Sequence, residues 1–221
     1  MTEKALVLDF GGVISKTLFE THDLTEAALG LPSGSLTWQG PFDPANDALW
    51  RDMQNQVITE RDYWLARASE VGGLLGQDWR TMKDFVVGAR GSVDPMTFIR
   101  PEAIETISRV KQAGHRLAIL SNELDLFYGE DFRAKLPFLA DFELIVDATY
   151  TKVLKPDPQA YAFITDGLGL PPQDCIFVDD QMKNIRGGQA AGMTSVWFDV
   201  MQPAKSYSEA LGHFGLPPLT N

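Results

Sequence analysis

Polar side chains of a few reactive types recur directly after short apolar runs in this 221-residue sequence. Carboxylates, a hydroxyl and an amide occupy these positions, which are Asp9, Ser121, Asn122, Asp179 and Asp180. Lys155 opens a Lys-Pro-Asp segment that lies between the second and third of these groups. A carboxylate can act as a nucleophile, while hydroxyl, amide and ammonium groups can hold anionic oxygens. The set is therefore suited to chemistry on an anionic group.

Three carboxylates in one crevice repel one another, which raises their pKa values unless a cation relieves the repulsion. Mg²⁺ prefers oxygen ligands and commonly joins protein carboxylates to substrate phosphate oxygens. Asp9, Asp179 and Asp180 are accordingly candidate metal ligands. Each group also has an ordinary structural alternative, because Asp and Ser-Asn residues often cap helices or form turns. It is their joint occurrence at the ends of apolar runs that favours a site.

The apolar runs predict five short strands that alternate with helices. The strands are expected at 4–9, 117–120, 143–146, 175–178 and 195–198, and helices at 101–113, 158–168 and 184–191. This alternation is typical of βαβ units with a parallel sheet, whose strands share one carboxyl edge. The expected fold is an α/β protein, a three-layer α/β/α Rossmann-like parallel sheet, and its carboxyl edge would bring the polar groups together.

A long segment with helical periodicity separates the first strand from the rest of this pattern. Trp64, Ala68 and Val71 share one helical face, and Thr59 with Asp62 forms a candidate capping box. Leu49, Met53 and Val57 recur at helical spacing, as do Trp79, Met82 and Val86. The tryptophans of this segment are expected to form its core. Residues 15–99 are therefore interpreted as an inserted small α-helical cap domain, and residues 1–14 with 100–221 as the core domain.

The composition limits the partners and the location. A net charge of −11 argues against nucleic acid, because binding to a phosphate backbone requires a basic surface. No apolar run is long enough for a membrane span, and the run before Asp9 is too short for a signal peptide. The expectation is a cytoplasmic protein, a monomer or homodimer, that acts on a small molecule without membrane contact. The single cysteine, Cys175, lies within an apolar run and is expected to be a buried hydrophobe.

The order of the polar groups resembles the four motifs of the haloacid dehalogenase superfamily. The matching segments are Asp9-Phe10-Gly11-Gly12-Val13, Leu120-Ser121-Asn122, Lys155-Pro156-Asp157, and Val178-Asp179-Asp180 with Asn184. The stretch 175–193 is most similar to the subgroup that contains the N-terminal phosphatase domain of soluble epoxide hydrolases and bacterial sugar-phosphate phosphatases. The helical insertion lies where that family places a cap.

The resemblance implies a Mg²⁺-dependent phosphatase that hydrolyses a small phosphomonoester through an aspartyl-phosphate intermediate. Asp9 would be the nucleophile. Asp9 and Asp180 would bind Mg²⁺ directly, together with the backbone carbonyl of Gly11. Asp179 would hold the groups around the direct ligands or would reach Mg²⁺ through a water molecule.

The resemblance also implies how the substrate is held. Ser121 and Lys155 would hold the phosphoryl oxygens, next to the Gly11-Gly12 backbone that approaches the bound group. Asn122 would help to orient the substrate, and Asn184 would brace the fourth motif.

The sequence departs from the phosphatase pattern at Gly11, where those enzymes usually carry an aspartate that protonates the leaving group. Such a proton donor contributes about 10²- to 10⁴-fold to the rate. Glu123 or a residue of the cap is a candidate substitute. The dehalogenases of the superfamily also lack this aspartate, so a C–halogen bond is an alternative substrate, although their fourth motif typically starts with serines. A third alternative is a non-catalytic or regulatory protein that keeps the fold.

The remaining candidates are less specific. The three histidines, His22, His115 and His213, do not have the spacing of metal ligands, and His22 is a candidate to face the crevice. The cap residues that are candidates to reach a substrate are Trp50, Arg51, Trp64 and Arg67.

Overall fold

The computed structural model of the chain describes residues 3–90, 93–122, 124–125 and 129–220. These residues form two compact units. The first unit comprises the described residues up to Lys16 and from Phe98 onward, and the second comprises those from Thr17 to Thr97. Glu123, a candidate proton donor, lies outside the described residues.

The first unit is built on a sheet of five parallel strands, which confirms the predicted α/β fold. The strands are Ala5–Leu8 (β1), Arg116–Ser121 (β2), Leu144–Asp147 (β3), Cys175–Asp179 (β4) and Thr194–Trp197 (β5). Their order in the sheet is β3-β2-β1-β4-β5, so the first strand lies at the centre and β5 at an edge. Each strand ends within one residue of its predicted end.

The register of the strands aligns the polar groups. Leu8 pairs with Ile119 of β2 and with Val178 of β4. The chain therefore leaves β1 and β4 at the same level, and the Asp9 N–H donates to the Val178 carbonyl at 2.9 Å. Because all strands are parallel, the polar residues that follow them lie along one edge of the sheet.

Among the described residues of the first unit, helices connect the strands and one more helix follows β5. They are Pro101–Gln112, Glu130–Ala134, Ala148–Thr151, Pro158–Leu168, Met182–Ala190 and Pro203–Gly212, with short 3₁₀ helices at Pro137–Asp141 and Pro172–Asp174. The last helix, in which Tyr207, Ala210 and Leu211 are buried, was not predicted from the sequence. The short apolar pattern of this helix follows the last strand, and no further strand comes after it. The helix is therefore not part of a βαβ unit, the pattern from which the other helices were predicted.

One side of the sheet carries a continuous apolar core. Ala5, Val7 and Phe177 on the strands contact Tyr161 and Ile185 on helices 158–168 and 182–190. Cys175 is part of this core, as predicted, and burial raises the pKa of its thiol to about 11. A buried thiol of this kind remains protonated and contributes to packing rather than chemistry.

The second unit is helical. Its helices are His22–Leu29, Ala48–Gln54, Glu60–Leu74 and Met82–Arg90, with 3₁₀ helices at Phe19–Thr21 and Gly40–Phe42 and a third, Pro95–Phe98, at the boundary. The predicted capping box is confirmed, because Asp62 N–H donates to Thr59 Oγ1 at 3.1 Å and Thr59 N–H donates to Asp62 Oδ2 at 2.9 Å. Val57 was wrongly placed on a helical face: it lies beyond helix 48–54 and is 70% exposed.

The tryptophans of the second unit belong to its core, as expected. Trp38 and Trp50 are buried with Phe19 and Tyr63, and Trp64 packs against them. The rings of Phe19 and Trp50 meet edge to face at 5.3 Å, a favourable arrangement for aromatic pairs. The core of this unit thus combines aromatic rings with aliphatic side chains such as Leu36, Val71 and Val86.

An ion pair organises the same unit. Arg67 Nη2 lies 2.6 Å from Asp47 Oδ1, and both residues are buried. Asp47 also accepts a hydrogen bond from Tyr63 Oη at 3.0 Å and from the Trp50 N–H at 2.9 Å. Arg67 is therefore committed within the unit, whereas Arg51 is exposed and donates to backbone carbonyls. Among the helices described, none combines the length and the hydrophobicity that crossing a bilayer demands.

Candidate functional site

The loop after β1 shapes the surroundings of Asp9. The Phe10 N–H donates to Asp9 Oδ1 at 2.7 Å, and the Ser15 N–H closes the loop on the Phe10 carbonyl at 2.9 Å. Of the two glycines, Gly12 has a φ of +78°, which favours glycine, whereas Gly11 has a φ of −68°, which any residue adopts. Only Gly12 is thus required by the backbone conformation.

Two distant residues hold this loop, and the sequence analysis missed both. Arg100 Nε donates to the Gly12 carbonyl at 3.0 Å, and Tyr207 Oη donates to the Val13 carbonyl at 3.0 Å. Both side chains are buried. The available sequence signal was an arginine directly before the proline that starts helix 101–112. Its partner, however, lies 88 positions away in the sequence.

Lys155 lies between two of the carboxylates. Its Nζ is 3.0 Å from Asp9 Oδ1 and 2.6 Å from Asp179 Oδ2, and the residue is only 3% exposed. Burial alone lowers the Lys155 pKa, but the carboxylates of Asp179 and Asp9 outweigh it and hold that pKa above its ordinary value. The side chain is therefore an ammonium group fixed beside Asp9.

Asp179 is fully buried and surrounded by donors. Lys155 donates to its Oδ2, and the Gln181 N–H donates to its Oδ1 at 2.8 Å. Asn184 Nδ2 lies 3.0 Å from Oδ1 and 3.1 Å from Oδ2. Both oxygens are thus engaged by protein groups, and the carboxylate fixes Lys155 in place.

Asp180 completes a group of three carboxylates. Asp9, Asp179 and Asp180 each offer one oxygen, and these oxygens lie within 4.8 Å of one another. Asp180 is only partly buried, unlike Asp179, and its Oδ2 accepts from Gln181 Nε2 at 3.2 Å. With Lys155 as an ammonium group and all three carboxylates ionised, this group carries two net negative charges, and oxygen atoms are the ligands that Mg²⁺ prefers.

The electrostatics of Asp9 follow from this crowding. Burial and, to a lesser extent, the neighbouring Asp179 raise the pKa of Asp9, which lies at about 7 instead of its ordinary 3.8. The ammonium of Lys155 and the Phe10 N–H act in the opposite direction. A cation next to Asp9 would favour its ionised form, which is the form that can attack an electrophile.

The second motif lies next to the third. Ser121 ends β2 and is 6% exposed. The Lys155 N–H donates to Asn122 Oδ1 at 2.7 Å, and Asn122 Nδ2 donates to the Lys155 carbonyl at 3.3 Å. The Asn122 amide is thus engaged with the backbone of Lys155, a contact that the sequence analysis did not foresee.

Asp147, at the end of β3, is a further residue that the sequence analysis missed. It is 3% exposed and pairs with Ser121 across the sheet. Its carboxylate accepts from the N–H groups of Leu124 at 3.2 Å, Asp125 at 2.9 Å and Thr149 at 2.8 Å. It therefore anchors the chain that follows the second motif. Its sequence signal, a carboxylate ending an apolar strand, was the same as that of Asp9.

The histidines are distributed over both units. His22 lies in the second unit, where its ring meets that of Trp38 edge to face at 4.3 Å. His115 Nδ1 accepts from the Lys4 N–H at 3.3 Å, and the His213 carbonyl accepts from Lys4 Nζ at 2.6 Å. Lys4 precedes β1, so His115 and His213 lie near the amino end of this strand, whereas Asp9 follows its carboxyl end.

The chain is similar to known proteins in sequence and in structure. A family model of haloacid dehalogenase-like hydrolases matches residues 3–192. The chain is 32% identical over 169 residues to (S)-2-haloacid dehalogenase 4A of Burkholderia cepacia, covering 71% of each chain. It is 27% identical over 211 residues to a phosphatase of Mycobacterium tuberculosis, covering 90% of this chain and 88% of that one.

Other comparisons inform only the fold or a part of a longer protein. A solved dehalogenase structure superposes with a TM-score of 0.61 at 22% identity, over 90% of this chain and 85% of that one. The chain spans just 11% of the length of acyl-CoA dehydrogenase family member 10 of Mus musculus, to which it is 30% identical over 122 residues. The similar sequences thus include a phosphatase and a dehalogenase.

Proposed function

The chain belongs to the haloacid dehalogenase-like hydrolase family, and on this premise we propose that it is a Mg²⁺-dependent phosphatase of a small phosphomonoester. The observation that carries the proposal is the position of Asp180. Its carboxylate joins those of Asp9 and Asp179 within 4.8 Å. A dehalogenase that works without a metal has no evident use for this third negative charge next to its nucleophile.

The charge balance supports a divalent cation. When Asp9 is ionised, Lys155 neutralises one of the three carboxylates, which leaves two negative charges next to the position of an anionic substrate. Asp9 and Asp180 would hold Mg²⁺, because both are partly accessible, whereas both oxygens of Asp179 are already engaged by Lys155, Gln181 and Asn184. The Gly11 carbonyl is proposed as a further ligand. When bound, the cation would neutralise charge that develops on the phosphoryl oxygens.

The remaining residues would hold the phosphoryl group. The Lys155 ammonium, 3.0 Å from Asp9 Oδ1, is placed to attract phosphoryl oxygens towards the nucleophile. Ser121 would donate its hydroxyl from the end of β2, and Gly12 would allow the backbone of the first loop to approach the same group. Asn122 would act by fixing the Lys155 backbone, and Asn184 by fixing Asp179.

The reaction would proceed in two displacements. An oxygen of Asp9 attacks phosphorus, the bond from phosphorus to the ester oxygen breaks, and the leaving alkoxide takes a proton from water. A second water molecule then attacks the phosphorus of the aspartyl-phosphate, which releases phosphate and restores the Asp9 carboxylate. Gly11 has no side chain to supply the first proton, so good leaving groups are expected to react fastest.

A dehalogenase is the second candidate function. It is favoured by Gly11, because the haloacid dehalogenases of the family also lack a carboxylate there, and by the 32% identity to the Burkholderia cepacia enzyme. In that case Asp9 would attack carbon and displace halide, and no metal would be needed. The third carboxylate, Asp180, favours the phosphatase instead.

The test is phosphate release from a panel of small phosphomonoesters, including p-nitrophenyl phosphate, measured with Mg²⁺ and with EDTA. We expect phosphate release in the presence of Mg²⁺ and none in EDTA. The rate of phosphate release should fall at least about 10³-fold in Asp9→Asn and in Asp180→Asn. Asp166→Asn, an identical change at an exposed position of helix 158–168, is the matched control and should behave as wild type. Halide release from 2-haloacids that persists in EDTA, without phosphate release, would establish the dehalogenase.

A further inference from the structure

Trp197 is a large aromatic side chain that remains 47% exposed at the edge of the sheet. It is the last residue of β5, and it pairs in register with Asp179 of β4. Its indole Nε1 donates to the backbone carbonyl of Asp180 at 2.9 Å. The ring therefore contacts the short connection that carries Asp180, one of the two partly accessible carboxylates.

This connection is only two residues long. It consists of Asp180 and Gln181, between the end of β4 and the start of helix 182–190. The neighbouring Asp179 is anchored by its side chain and by its carbonyl, which accepts from the Phe198 N–H at 2.9 Å. Asp180 has no such side-chain burial, and it must present a carboxylate near two others that repel it.

We propose that Trp197 is a positioning residue for the metal-binding carboxylate of Asp180, an inference that rests on the proposed Mg²⁺ site. The indole N–H fixes the Asp180 carbonyl and thereby the point from which its side chain extends. Fixing this point in the metal-free protein reduces the cost of holding the carboxylates close before the cation binds. The hydrogen bond acts on the affinity for Mg²⁺ and not on the chemical step.

The decisive variant is Trp197→Phe, which keeps an aromatic ring and removes the N–H. Groups that orient metal ligands typically contribute about 10- to 100-fold to affinity, and this one acts through a backbone carbonyl at the surface. We therefore expect Mg²⁺ affinity, measured by calorimetric titration with Mg²⁺ alone, to fall about three- to tenfold. The Mg²⁺ concentration for half-maximal phosphate release should rise by the same factor, with kcat at saturating Mg²⁺ within about twofold of wild type.

Trp79→Phe provides the matched control. Trp79 also donates its indole N–H, to Gln77 Oε1 at 2.7 Å, but it lies in the second unit. This variant should bind Mg²⁺ as wild type does. Thermal unfolding of all variants in EDTA checks that they are folded.

The outcomes separate the two proposals. Equal Mg²⁺ affinity of wild type and Trp197→Phe would overturn the role of Trp197 and leave the phosphatase intact. A lower kcat at unchanged Mg²⁺ affinity would overturn it as well, because the indole would then act on another step. If the wild-type protein bound no Mg²⁺, the metal site and the role of Trp197 would both fail.

Discussion

The Asn122 side chain forms hydrogen bonds with both the backbone N–H and the backbone carbonyl of Lys155. Its Oδ1 accepts from the Lys155 N–H at 2.7 Å, and its Nδ2 donates to the Lys155 carbonyl at 3.3 Å. The second motif, which contains Asn122, thus fixes the backbone of the third motif at Lys155. The Lys155 ammonium group extends from this fixed backbone to Asp9. The contact joins two loops 33 positions apart in the sequence.

Asn122→Ala should therefore impair the enzyme through Lys155. Two hydrogen bonds of about 1 kcal/mol each would be lost, and a backbone N–H would remain without its acceptor. We expect kcat/KM for phosphomonoesters to fall about tenfold or more, in steady-state assays at saturating Mg²⁺. Asn46→Ala is the matched control, since Asn46 is exposed in the second unit and bonds only a neighbouring aspartate among the contacts described. An Asn122→Ala variant with unchanged kcat/KM would show that Lys155 keeps its position without these two hydrogen bonds.

The fold was predictable because its signals are local. Each strand is a short apolar run, and Gly169 directly ends helix 158–168 with a positive φ. The convergence of Asp9, Lys155 and Asp179 also follows from their places after strands or before a helix, once the strands are parallel.

Contacts between distant segments were not predictable in the same way. Arg100 bonds the Gly12 carbonyl, and Asp147 binds three backbone N–H groups of two segments. Neither partner is indicated by spacing, because such pairings depend on which loops the finished sheet brings together. Composition likewise gave no sign that Asn122 would bond a backbone rather than remain available to a substrate.

Gly11→Asp tests whether the missing proton donor limits the rate. The φ of −68° at Gly11 accommodates an aspartate without backbone strain, whereas the +78° at Gly12 does not. With a carboxyl group next to the ester oxygen, we expect hydrolysis of alkyl phosphates to accelerate by up to about 10²-fold. The rate with p-nitrophenyl phosphate should change much less, because its leaving group departs without a proton.

Gly11→Asn separates proton transfer from other effects of a side chain at this position. It has nearly the same shape as aspartate and cannot donate a carboxyl proton, so it should not accelerate alkyl phosphate hydrolysis. Equal rates for both variants, or equal acceleration of both substrates by Gly11→Asp, would refute the idea that Gly11 limits protonation of the leaving group.

Asp9 should also make the stability of the metal-free protein depend on pH. Its pKa is raised to about 7 from 3.8, so the folded protein binds a proton that the unfolded chain has already lost at intermediate pH. The stability that protonated Asp9 contributes is fully present below about pH 4 and is lost as the pH rises through about 7. Asp9→Asn has no such titration. In EDTA, the Tm of the wild type should therefore fall relative to that of Asp9→Asn as the pH rises from about 5 to about 8.

The comparison isolates Asp9 because the other titrating groups are shared. Lys155 has a pKa above its ordinary value and remains an ammonium group over this pH range in the wild type. In Asp9→Asn it keeps its 2.6 Å contact with Asp179, which favours the same state. Saturating Mg²⁺ should flatten the pH dependence of the wild type, because a cation next to Asp9 favours the carboxylate, and should leave the slope for Asp9→Asn less affected. Parallel Tm curves for the two proteins in EDTA would mean that Asp9 is already ionised near pH 5 without a metal, and that Lys155 alone balances its charge.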